Sequence, residues 1–259
     1  MVKSQHKNAI CFLGIDPSPA QIKFMGSMHK FYDIYLLLHN SRPYLSKKYE
    51  NRFGSLIKVI LVDEQDCIKS GFTGSTYNEK GAMKCSTRDK VLFYFNNIEN
   101  NYKNLWIIEE DVFIPSRNTL AKIDKNYPNE DLICSQIHKV DERWHWFANA
   151  KQQQKNKDLI LRTMVCAIRC SSRLIKEVGF SAKKKGYLDM DEILFINLAN
   201  DLKMKIKSIE ELSNLFFYEH DLPLTWKEIS RIKENFLYHP CKDPDQQIKL
   251  RSLIQSQIK

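Results

Sequence analysis

The sequence has few of the residues that form linkers and flexible tracts. Its 259 residues include only 8 glycines and 8 prolines, and no repeat, low-complexity tract or Pro/Gly-rich linker is present. Hydrophobic residues make up 43% of the chain, which is enough for a sizeable core and argues against intrinsic disorder. We therefore expect a single domain.

Long apolar runs are missing as well. Residues 1–8 are polar and basic, and the apolar run that follows, 9–13, is too short for a signal peptide or a transmembrane helix. These features predict a soluble protein without a transmembrane segment.

The cysteines form no recognisable framework. There are seven, an odd number, and they are scattered without a CxxC pair. This pattern argues against a zinc knuckle and against a disulfide scaffold. It indicates reduced thiols that serve mainly for packing, in a cytoplasmic or similarly reducing compartment.

The charge balance is basic. Lys and Arg number 40 against 31 Asp and Glu, which gives a formal net charge of +9 and favours an anionic partner such as nucleic acid, a membrane surface or a phosphorylated small molecule. Lysines are spread over the whole length, and the only compact run is 183–185. The sequence therefore shows no dedicated nucleic-acid arm.

The first half alternates strand-like and helix-like patterns. Strands are predicted over 9–13, 33–39 and 56–62, with a helix over 20–30. Connections of this length suit crossover helices, so the pattern predicts a parallel sheet covered on both faces. Ligands of such sheets bind off the carboxyl ends of the strands.

The most informative segment is a fourth strand-like run that ends in three carboxylates, Glu109-Glu110-Asp111. In an extended chain Glu109 and Asp111 would share one side while Glu110 faces the other. Two adjacent carboxylates need a counter-ion, and a hard divalent cation is the simplest. The alternative is a strand that leaves the core into a solvated acidic loop.

The second half is less regular. Strands are predicted over 131–137 and 163–168, a helix over 173–178 that ends at Gly179, and a terminal helix over 245–258. Asp191-Glu192 precedes an apolar segment typical of a buried helix. Before the fourth strand, Ser86 and Thr87 are good helix caps, and the basic residues that follow would suit an anion, although an ordinary amphipathic helix has the same pattern.

Together these segments resemble the metal-dependent glycosyltransferases of the GT-A fold. The resemblance covers about residues 9–242 and rests on the N-terminal strand and its loop, the helix that begins at Ser86, the acidic motif at 109–111, the late acidic helix, and His239 near the C-terminus. Glu109 stands where the family's DxD-type motif usually has Asp. The resemblance implies an α/β, single GT-A (Rossmann-like) domain with a mostly parallel sheet, in which 9–115 binds the nucleotide, 116–242 binds the acceptor and 243–259 is a terminal helix.

The resemblance also implies roles for individual residues. Glu109, Asp111 and His239 would bind Mn²⁺ or Mg²⁺, and Glu192, or alternatively Asp191, would be the catalytic base. The nucleotide-sugar donor would contact Gly14, Ile15, Asp16, Arg88, Asp89, Lys90, Glu109, Glu110 and Lys242. From their chemistry, the aromatic residues Trp144, Trp146 and Phe147 could stack on an acceptor sugar, although aromatic residues are more often part of a core.

The implied activity is transfer of a sugar from a nucleotide-diphosphate-sugar, with uridine as the family-level expectation, to a hydroxyl of a glycan or protein acceptor, with inversion. A nucleotidyltransferase that makes nucleotide-sugars is the nearest alternative, but the loop 14–19 has neither a basic residue nor the second glycine that such enzymes usually show. A basic, metal-dependent nucleic-acid-binding protein or nuclease would also fit the charge. An inactive sugar-binding relative is a third alternative.

Overall fold

The computed structural model describes residues 8–14, 17–38, 43–54, 56–77, 83–99, 101–155, 157–215 and 231–257. Two residues predicted to contact the donor, Ile15 and Asp16, lie outside these ranges. The seven cysteines all lie within them, and each is buried and outside any disulfide bond. None of the described helices combines the length and the apolar character that a membrane crossing requires.

Strands and helices alternate through the first half, whereas most strands of the second half have only two or three residues. The strands are β1 (Asn8–Gly14), β2 (Asp33–Leu38), β3 (Lys58–Ile60), β4 (Thr76–Tyr77), β5 (Met83–Lys84), β6 (Asn104–Glu109), β7 (Leu132–Cys134), β8 (Ile137–Lys139), β9 (Leu161–Thr163), β10 (Ala167–Ser171), β11 (Ile206–Ser208), β12 (Asn214–Leu215) and β13 (Tyr238–His239). The helices are α1 (Pro19–Gly26), α2 (Pro43–Phe53), α3 (Glu64–Lys69), α4 (Thr87–Asn97), α5 (Thr119–Asn126), α6 (Phe147–Gln153), α7 (Ser172–Lys185), α8 (Asp191–Asp201) and α9 (Pro244–Gln257), with a 3₁₀ turn at Glu210–Leu212.

Seven strands form the central sheet in the order β11-β7-β10-β6-β1-β2-β3. Pairing is parallel along β6-β1-β2-β3 and between β7 and β11, whereas β10 runs antiparallel to both of its neighbours. The predicted α/β class with a mostly parallel sheet is therefore confirmed. The parallel connections carry the carboxyl ends of β1 and β6 to the same edge of the sheet.

Each face of the sheet is covered by its own helices, because alternate side chains of a strand point to opposite faces. On β1, Cys11 and Leu13 pack with residues of α4, α7 and α8, while Ile10 and Phe12 pack with residues of α1, α2 and α5. These strands are apolar on both faces, as expected for buried parallel strands.

The predicted end of α7 at Gly179 is wrong. The helix continues to Lys185 and ends at Gly186, which has a left-handed backbone with φ of 75°. Gly179 instead lies where α7 passes closest to α4, because a Cβ at this position would be only 2.0 Å from the side-chain nitrogen of Asn96. The glycine therefore permits close helix packing in place of ending the helix.

Candidate active site

A cleft opens at the edge of the sheet where β1 and β6 end. Its volume of about 590 Å³ lies within the range of roughly 300–1,000 Å³ that is usual for small-molecule sites. Its lining comprises Leu13, Gly14, Thr76, Ser86, Thr87, Arg88, Glu109, Glu110, Asp111, Asp191 and Lys242. The cleft is large enough for a nucleotide-sized ligand, and most of its lining is polar or charged.

The acidic motif lies in a turn at the end of β6. The strand ends at Glu109, and the amide of Val112 donates to the carbonyl of Glu109 at 3.1 Å. The amide of Glu110 donates to the carbonyl of Leu13 at 3.0 Å, which ties the turn to the end of β1. Strand alternation was therefore the wrong reason to expect Glu109 and Asp111 together, because it is this turn that places Asp111 beside Glu109.

His239 reaches the acidic turn through backbone pairing. Phe113 and Tyr238 exchange hydrogen bonds of 2.8 and 3.2 Å, and the amide of Cys241 donates to the carbonyl of Asp111 at 2.7 Å. His239 lies between these two attachments, and its Nε2 is 3.4 Å from Asp111 Oδ2. Two chain segments far apart in sequence are thus fixed in register.

Glu109, Asp111 and His239 each offer one ligand atom, and these atoms all lie within 4.8 Å of one another. Ligand atoms about 2.0–2.2 Å from a shared ion would be at most about 4.4 Å apart, so a small side-chain adjustment would let all three reach one ion. Two carboxylate oxygens and an imidazole nitrogen suit Mn²⁺ or Mg²⁺, with the imidazole favouring Mn²⁺. The three residues therefore fit the metal that the resemblance implies.

The same geometry holds a proton on His239 when no cation competes for it. Burial by itself lowers the pKa of His239, but the hydrogen bonds and charge interactions with Asp111 and Cys166 together outweigh it and raise the pKa above its usual value. Cys166 lies on the other side of the ring, where burial raises the pKa of its thiol and His239 opposes that shift. The carbonyl of Cys166 also accepts from the amide of Glu109 at 2.8 Å, so this residue contacts both sides of the cluster.

Arg88, in the first turn of α4, joins the acidic turn to α8. One terminal nitrogen donates to Glu109 Oε1 at 2.6 Å, and the other is hydrogen-bonded to Asp191 Oδ2. The guanidinium is nearly buried, and although burial lowers the pKa of Arg88, the charges of Asp191 and Glu109 raise it. Arg88 is thus the counter-ion of two carboxylates that would otherwise repel each other.

Two neighbours of Arg88 do not reach the cleft. Asp89 is fully buried, and its carboxylate accepts from the amide of Ser86 at 2.7 Å, which completes a capping box for α4. Lys90 is 3% exposed and lies 3.9 Å from Glu64 of α3. Successive helical residues are separated by about 100°, so Arg88 can face the ligand while the next two residues face the protein.

Glu110 lies over the end of β1 at Gly14. A Cβ at Gly14 would be 3.1 Å from Glu110 Oε2 and 3.2 Å from Pro17, so a larger residue would displace this carboxylate. The carbonyl of Glu110 accepts from Gln247 of α9 at 3.0 Å. Lys242, just before α9, lines the cleft on the same side.

Asp191 and Glu192 begin α8; Asp191 lines the cleft, whereas Glu192 is not among its lining residues. The amide of Asp191 donates to the carbonyl of Ser75 at 3.0 Å, and the amide of Met190 donates to the side chain of Gln153 in α6 at 2.8 Å. Burial, together with the charge of Asp191, raises the pKa of Glu192 to about 7, although Arg88 and Arg162 oppose the shift. A carboxylate with a pKa near neutrality can exchange a proton with a substrate hydroxyl.

The aromatic residues predicted to contact the acceptor lie next to this helix end. Trp144 and Trp146 pack, partly exposed, against a small apolar cluster that contains Met190 and Ile193, which flank the acidic pair. Phe147 begins α6 and is also partly exposed. The two tryptophans are thus both packed against this cluster and partly accessible from solvent.

Sequence reasoning did not single out Cys166, Arg162 or Gln247. Cys166 lies within the predicted strand 163–168, which is in fact the end of β9 and the start of β10, separated by 164–166. Gln247 is a polar side chain with only 2% exposure on the buried side of the terminal helix, next to apolar residues such as Leu250. No pattern within the sequence distinguishes these residues from their neighbours, because their contacts are formed between distant segments.

The sequence matches no family model and no curated protein. In three dimensions the chain is similar to 4-diphosphocytidyl-2C-methyl-D-erythritol synthase from Anaerococcus prevotii, with a TM-score of 0.48, 8% identity, and coverage of 96% of this chain and 97% of that one. It is similar to 2-C-methyl-D-erythritol 4-phosphate cytidylyltransferase from Thermus thermophilus, with a TM-score of 0.44, 8% identity, and coverage of 95% and 98%. The glycosyltransferase GlyE of Streptococcus pneumoniae gives a TM-score of 0.38 at 11% identity, over 80% of this chain and 46% of that one. Scores and identities this low support no conclusion about activity.

Proposed function

We propose that the protein is a metal-dependent glycosyltransferase that uses a nucleotide-diphosphate-sugar, with a UDP-sugar as the first donor to test. The observation that carries this proposal is the arrangement at the two walls of the cleft. On one side, Glu109 and Asp111 line the cleft and lie with His239 within 4.8 Å of one another; on the other, Asp191 lines the cleft and is followed by Glu192, which has a pKa of about 7.

The metal-binding wall suits the leaving group. Breaking the bond between the anomeric carbon and a diphosphate places charge on the leaving oxygen, and a bound divalent cation would stabilise that charge. Glu109, Asp111 and His239 would hold the cation. Lys242, which lines the same cleft, would contact a phosphate oxygen.

The opposite wall suits the acceptor. The acceptor hydroxyl must lose its proton as it attacks, and a positioned carboxylate with a pKa near the working pH is an effective base. The raised pKa of Glu192 has this property, and Glu192 directly follows Asp191, which lines the cleft, at the start of α8. Direct attack by the acceptor would invert the anomeric centre.

A nucleotidyltransferase remains the competing proposal, and the names of the similar structures include both kinds of enzyme. Two features favour glycosyl transfer. The loop after β1 has no basic residue. A nucleotidyltransferase that makes nucleotide-sugars would also have less need of a base such as Glu192, because its attacking group is an ionised phosphate oxygen and not an uncharged hydroxyl. The reaction products separate the two proposals. A glycosyltransferase releases a nucleoside diphosphate, whereas a nucleotidyltransferase consumes a nucleoside triphosphate and releases pyrophosphate.

The test is a thermal-shift panel of nucleotide-sugars with and without Mn²⁺, followed by assays of nucleotide release. A ligand that binds only the folded state raises the melting temperature, so the true donor should do so in the presence of Mn²⁺. Asp111→Asn should abolish this metal-dependent shift. Asp201→Asn is the control, because this carboxylate pairs with Lys157 and does not line the cleft.

Three outcomes would count against the proposal. They are an unchanged Mn²⁺-dependent shift in Asp111→Asn, release of pyrophosphate from a nucleoside triphosphate, and metal-dependent cleavage of nucleic acid with no response to nucleotide-sugars.

A further inference from the structure

Arg162 is a half-buried arginine beside the aromatic cluster at the start of α8. Its guanidinium carbon lies 5.1 Å from the ring centroid of Trp144, in a cation–π contact. Trp144 in turn packs against the small cluster that contains Met190 and Ile193, the residues on either side of the acidic pair. Arg162 therefore lies beside the start of α8, close enough to Glu192 to lower its pKa.

The backbone fixes this position. The side chain of Asn197 in α8 accepts from the amide of Leu161 at 3.0 Å and donates to its carbonyl at 2.7 Å. Arg162 is the next residue of β9, and it pairs in register with His138 of β8. Its location relative to α8 is thus set by two short hydrogen bonds and does not depend on a flexible loop.

Arg162 makes no ion pair or side-chain hydrogen bond with any part of the chain that the structure describes. Its Nε is buried and has no hydrogen-bond partner. The nearest acidic side chain on this hairpin, Asp141, is held by Arg143 through hydrogen bonds of 3.1 and 2.8 Å. The two terminal nitrogens also have no partner among the described residues but are not buried, so an anionic ligand that reaches them is the natural complement of this site.

We propose that the acceptor carries a carboxylate or a phosphate ester, and that Arg162 binds this anionic group while the sugar ring lies against Trp144. This inference rests on the proposed glycosyl transfer. The guanidinium fork matches both anions in a bidentate manner, which would orient the acceptor hydroxyl toward Glu192. Arg162 would then determine acceptor specificity.

The competing explanation is that Arg162 only tunes Glu192, whose pKa it lowers. The two explanations predict different results. A residue that only tunes the base affects every acceptor alike and shifts the pH profile of the reaction. A residue that binds an anion changes the preference between charged and uncharged acceptors.

The experiment uses matched aryl glycosides of the gluco, galacto and manno series that differ only at C6, as a hydroxymethyl group, a carboxylate or a phosphate ester. Nucleotide release above the acceptor-free rate is measured with Mn²⁺ and the donor found by thermal shift. Wild type should prefer the anionic members of one series, and the carboxylate and phosphate arms identify which anion is bound. Arg162→Met should reduce the ratio of kcat/KM values, anionic over neutral, about 10–100-fold, which is typical for loss of a charge-assisted contact.

Arg173→Met is the matched control, because it removes the same charge from a side chain that is 61% exposed, already pairs with Asp131 and does not line the cleft. This variant should keep the wild-type ratio, and Arg162→Lys should restore part of it. Equal use of neutral and anionic acceptors by wild type, or an equal loss for both in Arg162→Met, would overturn the inference while metal-dependent donor turnover still supports the proposed function. Absence of any metal-dependent donor turnover would instead remove the proposed function, and this inference with it.

Discussion

Arg88 donates a hydrogen bond of 2.6 Å to Glu109, the first carboxylate of the acidic motif, and is held by Asp191 on its other side. The guanidinium therefore lies between Glu109 of the proposed metal site and Asp191, the neighbour of the proposed base Glu192. A cation bound at Glu109 would compete with Arg88 for that carboxylate. Binding of the cation and the ion pair of Arg88 are thus coupled through Glu109.

Replacement of Arg88 by Met should lower stability and raise metal affinity. Glu109 and Asp191 would lose a buried counter-ion, which should lower the free energy of unfolding by about 2–4 kcal/mol, because Glu109 is partly exposed. The freed Glu109 should bind Mn²⁺ more tightly, as measured by calorimetry. Arg169→Met is the control, since Arg169 is fully buried beside Asp124 and does not line the cleft. It should lower stability without changing the Mn²⁺ affinity, and a loss of metal affinity in Arg88→Met would contradict the coupling.

Metal binding should weaken as the pH falls. Burial lowers the pKa of His239, but Asp111 and Cys166 together raise it above the usual value, so the imidazole carries a proton at neutral pH when no metal is bound. A metal ligand must be neutral, so each ion displaces this proton, and the Kd for Mn²⁺ should rise about tenfold per unit decrease in pH. His239→Gln should bind Mn²⁺ more weakly at pH 9 and with little pH dependence between pH 6 and 9. Calorimetry in buffers of different ionisation enthalpy would count the released proton, and a count of zero would exclude His239 as a ligand.

The parts of the site that could be predicted from the sequence are those carried by local patterns. The apolar run of β6 followed by Glu109, and the acidic pair that begins α8, are visible because burial and charge change sharply within a few residues. The interactions of Arg88 could not be predicted. Its two carboxylates lie 21 and 103 residues further along the chain, and only the packing of α4 against the sheet and α8 brings them together.

Gly179 gives a second example of a feature that could not be predicted from the sequence. Gly179 follows an apolar helical segment and is a normal signal for a helix end, yet the helix continues because Asn96 of another helix packs against it. Whether a glycine ends a helix or admits a neighbour depends on contacts that are distant in sequence. The fold class was predictable because it depends on the alternation of strands and helices, which single residues do not alter.

Gln247 should be required to hold the metal-binding residues in register. Its side-chain nitrogen donates to the carbonyls of Glu110 at 3.0 Å and Cys241 at 2.8 Å, so one amide joins the acidic turn to the segment after His239. Gln247→Leu should lower Mn²⁺ affinity about 10-fold, in the range found for residues that support metal ligands. Leu250→Ala is the control, because Leu250 is buried in the same helix and makes only apolar contacts. If both variants lose metal affinity in proportion to their loss of stability, Gln247 has no separate positioning role.

Replacement of Glu192 by Gln should raise the stability of the protein and lower the rate of transfer. Because burial raises the pKa of Glu192 from 4.5 to about 7, the folded state binds more protons than the unfolded state between these values. The free energy of unfolding should therefore fall as the pH rises through this window, and Glu192→Gln should be more stable than wild type by about 2–3 kcal/mol at pH 8 but not at pH 4. Asp89 contributes a similar pH dependence to the free energy of unfolding, but it does so in both proteins. Its contribution therefore cancels in the difference between the variant and wild type.

The same substitution, Glu192→Gln, should lower the rate of transfer. Wild-type kcat should rise with pH through about 7 as the carboxylate ionises, and Glu192→Gln should lower kcat about 10²–10⁴-fold and remove this pH dependence. Donor and Mn²⁺ affinities should stay near the wild-type values, because a base contacts only the acceptor's proton. Asp191→Asn is the matched carboxylate control and should reduce kcat less, since Asp191 is occupied by Arg88. NMR of the product should show an inverted anomeric centre. Full turnover by Glu192→Gln, or a product that keeps the donor's configuration, would assign Glu192 to binding of the acceptor or to the start of α8 alone.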